Sequence, residues 1–61
     1  MAGELSERDK DIQFLLKRLP SATLNQQGVF CDYVEKYVEE QNMFSDMARE
    51  YALRDLKEAR L

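Results

Sequence analysis

At 61 residues, with 12 acids against 9 bases and a formal charge of −3, the chain is one small domain, and chains of this size bury only about 60% of their unfolded surface. A single cysteine, Cys31, excludes an internal disulfide, and the lack of histidine removes the ordinary zinc ligand sets. Of the usual staples for a small fold, association with itself or with another protein is what remains.

The opening residues 1–5 are expected to fray, and their charge is unlike a secretory leader. Ser6 is placed to cap a first helix, with Glu7, Asp9 and Asp11 near its positive end and Lys17 and Arg18 near its negative end. Ile12, Leu15, Leu16 and Leu19 form one apolar face. Pro20 disfavours helical geometry at Leu19, so the first helix is predicted over about 7–19. After the connector Pro20-Ser21-Ala22, the run Thr23-Leu24-Asn25-Gln26 has the form of a capping box. Gly28 then costs about 1 kcal/mol relative to Ala within a helix and suggests a loose start or a close backbone approach.

From Val29 onward there is no proline or glycine. At about 100° per residue, Phe30, Tyr33, Val34, Tyr37, Val38, Phe44, Ala48, Tyr51, Ala52, Leu56 and Ala59 fall on one face, with Gln41 at its centre. The segment Asn42-Met43-Phe44-Ser45-Asp46 offers a break, with Ser45 as a cap. The stripe nevertheless keeps its phase across it, which favours one long helix over about 24–60. That helix would be roughly 55 Å long against about 20 Å for the first, leaving Phe44 to Leu56 uncovered. The expected fold is therefore all-α: a helical hairpin of one short and one long helix in a single domain, 1–61, packed as a dimeric bundle. The alternative is a compact three-helix bundle broken near 42–45.

Charge is unevenly spread. Residues 32–50 hold six acids against Lys36 and Arg49, a balance of −4, while residues 51–61 carry +1. No basic stripe of the kind that displaces counterions from nucleic acid is present, and the same balance argues against an amphipathic helix lying on anionic lipid. No apolar run approaches the roughly 18 residues that span a bilayer. A lone cysteine fits a reducing, cytoplasmic setting. Asp32, Glu35, Glu39, Asp46 and Glu50 make an acidic face, with Asp32–Lys36 and Glu50–Arg54 as i,i+4 pairs worth a few tenths of a kcal/mol each. That face is either a solvated helix surface or a strip that occupies a basic groove.

No enzyme is expected. Glu39 and Glu40 are adjacent and do not face one another on a helix. Cys31 has acidic Asp32 beside it and no histidine base anywhere, so it reads as a small buried hydrophobe. No cofactor or metal is implied. Gln41, polar at the centre of the stripe, reads as a bundle-edge residue or as a register device between paired helices, and Asp55 as a rim residue. Phe14, Met43 and Leu53 project away from the main faces, either as isolated exposed side chains or as a second contact surface. The expected function is a non-enzymatic protein–protein interaction module, an adaptor, regulator or assembly subunit. It would self-associate as a homodimer through the stripe, or bind another protein, without touching nucleic acid or membrane. The rival reading is an acidic inhibitor that blocks a basic, nucleic-acid-binding site on a target enzyme.

Overall fold

The computed structural model describes residues 6–59, so the expected fraying of 1–5 and the helix end at 60 lie outside the described residues. The described chain is all-helical: α1 Glu7–Arg18, α2 Leu24–Glu40 and α3 Ser45–Ala59. Among the described residues no helix is long and apolar enough to cross a membrane.

The starts of α1 and α2 follow local chemistry. The Ser6 side chain accepts from the Asp9 N–H at 3.2 Å, satisfying one of the orphan donors of the first turn. Leu19 leaves helical geometry at φ −133° and ψ 81°, as the residue before a proline does. The Thr23 capping box is complete: Thr23 Oγ1 accepts from the Gln26 N–H at 3.1 Å, and Gln26 Oε1 accepts from the Thr23 N–H at 2.8 Å. Gly28 sits in ordinary helical backbone, and a Cβ built there meets nothing within 4 Å. It therefore marks no close approach.

The long helix of 24–60 is replaced by two. Gln41 caps α2, and Asn42 takes φ 55°, the left-handed region that ends helices and that asparagine tolerates better than most residues. The Tyr37 carbonyl accepts from both Gln41 and Met43 N–H, at 3.1 and 3.2 Å, and the Phe44 carbonyl accepts from Ala48 N–H at 2.9 Å to begin α3. Ser45 is thus the first helical residue and not the cap. The phase of the stripe misleads for a simple reason: a four-residue turn advances the helical projection by about 400°. Apolar positions on either side therefore stay in register although the chain reverses. The reversal wins because the left-handed residue costs about 1–2 kcal/mol at most, whereas each large side chain it helps to bury returns about 1.5–3 kcal/mol.

All three helices feed one core of Leu15, Phe30, Val34, Ala48, Ala52, Leu53 and Leu56. Phe30, Leu15 and Leu56 are its largest fully buried side chains. Of the expected α1 face, Leu15 is fully buried and Leu19 packs against the core, while Ile12 and Leu16 are only partly buried; the helix is turned enough to bury Asp11 as well. Phe14 stacks on Phe30 with ring centroids 6.0 Å apart and planes 9° apart, under the Arg18 guanidinium at 4.5 Å. In α3 the buried face runs through Ala48, Arg49, Ala52, Leu53 and Leu56. Ala48, Ala52 and Leu56 lie on the expected face, which is turned so that Arg49 and Leu53 are buried and Tyr51 is only partly so. The accessible surface of 4489 Å² is close to the roughly 4,100 Å² of a compact monomer of this mass. The chain buries much of its own stripe.

Candidate functional site

A half-open groove of about 310 Å³ lies between α1 and α2, closed at one end by Ser45 at the start of α3. Its apolar floor comes from Cys31, Val34 and Val38, spaced i, i+3, i+7 along one face of α2. Glu7, Arg8 and Asp11 line it from α1, and Asp32, Glu35 and Glu39 from α2. Five carboxylates thus meet one guanidinium.

The carboxylates are not equivalent. Asp11 is 6% exposed and receives Arg49 Nε on its Oδ1 at 2.6 Å. Arg49, itself 8% exposed, also reaches Glu7 at 3.2 Å and Asp46 at 3.3 Å. This node joins α1 to α3 and neutralises the end of the groove nearest Ser45. Glu7 additionally meets Lys10 at 3.5 Å. Asp32, Glu35 and Glu39 are exposed, and none of them has an ion-pair partner among the described residues. The remaining negative charge of the groove is therefore concentrated along α2.

The acidic face read from the sequence divides. Asp32, Glu35 and Glu39 come together on the groove, while Asp46 and Glu50 sit on α3, tied to Arg49 and, at 3.8 Å, to Arg18. The expected Glu50–Arg54 pair does not form. Arg54 lies over the Tyr51 ring at 5.2 Å instead. Burial pushes the Cys31 thiol above its usual range, with Asp11 and Asp32 adding to the effect and Arg8 opposing it. The thiol stays protonated at neutral pH, the opposite of an activated nucleophile. Among the described residues no group of three or more His, Cys, Asp or Glu side chains is placed to hold a metal ion.

The apolar stripe is mostly internal. Phe30, Val34, Ala48, Ala52 and Leu56 are buried in the chain's own core, and Tyr33, Tyr37, Val38 and Tyr51 are partly buried. Tyr37 packs on Tyr51 with ring centroids 5.7 Å apart, and its hydroxyl donates to Asp55. That hydrogen bond raises the Tyr37 pKa, with desolvation adding to it, and it ties Asp55 within the chain. Gln41 and Phe44, at the α2–α3 turn, and Ala59, at the end of α3, are exposed, Phe44 at 83%. The second contact surface does not exist as a separate patch: Leu53 is a core residue, and Phe14 and Met43 pack against the core. Among the described residues the exposed large apolar side chains are instead Leu24, Phe44 and Met47.

The Asp11–Arg49 pair escaped the sequence reading. Its only local signal is that Asp11 stands four residues before Leu15, on the same side of α1. Comparison with protein-family models, curated proteins and solved structures gives no match for this chain.

Proposed function

We propose that this chain is a non-enzymatic protein–protein interaction module, a small adaptor or regulator, that takes a basic segment of a partner protein in the α1–α2 groove. The observation that carries this reading is the pairing of an apolar floor at Cys31, Val34 and Val38 with the unpaired carboxylates of Asp32, Glu35 and Glu39. A segment with Lys or Arg on either side of an apolar residue matches both features. Apolar contact would supply the buried centre, and the charges would steer encounter and fix register. The nucleic-acid-binding site of an enzyme has such segments, so an inhibitor that occupies that site is one form of the same proposal. A reducing, cytoplasmic setting fits the single buried thiol.

The test is fluorescence anisotropy with a labelled amphipathic peptide carrying Lys and Arg around a leucine. Binding is expected to weaken steeply with salt. Joint replacement of Asp32→Asn, Glu35→Gln and Glu39→Gln should weaken it by about tenfold or more while helicity is unchanged. Equal binding by the neutralised and native chains overturns the proposal.

A further inference from the structure

We propose that the α2–α3 turn is a hinge, and that two copies of this chain exchange α3, each straightening residues 24–59 into one helix. The partner is a second copy, and the surface is the one that α2 and α3 now present to each other. This inference does not depend on the α1–α2 groove.

Three observations meet at the turn. First, residues 41–44 contain neither glycine nor proline, and their number is close to one helical turn. The straightened helix therefore carries Phe30, Val34, Ala48, Ala52 and Leu56 on a single face, which is why the stripe reads as continuous. Second, the left-handed residue that holds the chain closed is Asn42, at φ 55°. It is the one non-glycine residue with positive φ among the described residues, and it returns to ordinary geometry on opening. Third, Phe44 is 83% exposed in the closed chain, yet on the straight helix it joins the stripe beside Gln41.

Opening alone would strip the core of its cover, so it requires something of complementary shape. A second opened copy is complementary by construction. The Tyr37 hydroxyl then donates to the partner copy's Asp55, and the Tyr37–Tyr51 ring contact and the Asp11–Arg49 pair likewise re-form between copies. The core contacts are retained. What the dimer adds lies at its two-fold axis, where the two Phe44 rings and the two Gln41 side chains meet. What it relieves is the left-handed residue in each chain. The balance is then set by protein concentration and by the preference of residue 42 for helical or left-handed backbone.

The experiment varies that preference at an exposed position remote from the core. Mass is measured by light scattering over a dilution series for the native chain, Asn42→Ala and Asn42→Gly. Alanine is favoured in a helix and disfavoured in the left-handed region, glycine is the reverse, and each dimer straightens two hinges. The dimer dissociation constant should therefore be at least about a hundredfold lower for Asn42→Ala than for Asn42→Gly. In a second measurement, a Cys31→Ser chain with Lys36→Cys and Arg54→Cys, both exposed positions, is spin-labelled, diluted into unlabelled chain, unfolded and refolded, and the distance between its two labels is read by electron–electron double resonance. In the closed chain these positions flank the Tyr37–Asp55 contact and lie close together; on one straight helix they are 18 residues, about 27 Å, apart, so the longer distance in the dimer supports exchange. Monomers at every concentration for both residue-42 variants overturn the proposal. So does the opposite order of affinity, or a dimer in which the two labels stay close.

Discussion

Replacing one member of the Asp11–Arg49 pair should show which of the two is the more dependent. Both side chains are nearly buried, and their contact is the tightest link between α1 and α3. Arg49→Met leaves Asp11, 6% exposed, without its ion-pair partner, a change that costs about 3–5 kcal/mol. Asp11→Asn is milder, because Arg49 keeps Glu7 and Asp46 within 3.3 Å, and an asparagine oxygen still accepts from Nε. The loss there is that of charge assistance to one hydrogen bond, about 1 kcal/mol. The exposed Glu7 and Asp46 contacts are each worth about 0–1 kcal/mol and do not alter the order. Total stability for a chain of this length is about 3–9 kcal/mol, so Arg49→Met removes much of it. Urea unfolding followed by far-ultraviolet dichroism reads the difference. With a slope of about 1 kcal/mol per molar for a small domain, the midpoint should fall by about 1 M for Asp11→Asn and by about 3 M or more for Arg49→Met. The double variant Asp11→Leu/Arg49→Met, which removes both charges, should recover most of the loss. Equal costs for the two single changes, or a double variant that costs their sum, would refute the reasoning.

Two further outcomes follow from local features. Gly28→Ala lies in helical backbone with open space at the new Cβ, so it should stabilise the fold by about 0.5–1 kcal/mol and raise the melting temperature by a few degrees; a lowered value would show that Gly28 has a role its surroundings do not reveal. The raised pKa of Tyr37 means that the folded chain holds the phenolic proton to higher pH than the unfolded chain does. Its contribution is complete below pH 10, the ordinary tyrosine value, and is lost as pH rises through the folded value. Thermal melts between neutral and strongly alkaline pH should show that loss, and it should be smaller in Tyr37→Phe.

The legible parts of the fold are those encoded within four residues of one another. Ser6, the Thr23–Gln26 box and Pro20 announce their roles locally, and the structure places all of them as read. Asn42 is also a local signal, but it competes with a periodicity that a four-residue turn leaves intact, so the pattern reads as one helix where the chain forms two. Phe14 and Leu53 were misplaced for a related reason: a stripe shows which residues are apolar, while the inward direction depends on where the neighbouring helices lie. The carboxylates of the groove were visible as a face, but its division between Asp32, Glu35 and Glu39 and the paired Asp46 and Glu50 needed α1 and α3 in position. Arg49 and Asp11 are 38 positions apart, and nothing in either neighbourhood names the other.

The two alanines of α3 set a limit on how this sequence can change. Ala48 and Ala52 have no exposed surface at all, and each stands in the core where a larger side chain would occupy space already filled by its neighbours. At Gly28 an added methyl group has open space around it, and Asp32, Glu35 and Glu39 of α2 are already in water. On α3 these two positions lie wholly within the core, where added volume strains the packing. The least conspicuous side chains of the chain are thus the ones with the least latitude. The exposed acids of α2 can change with little effect on packing, whereas these two positions must stay small.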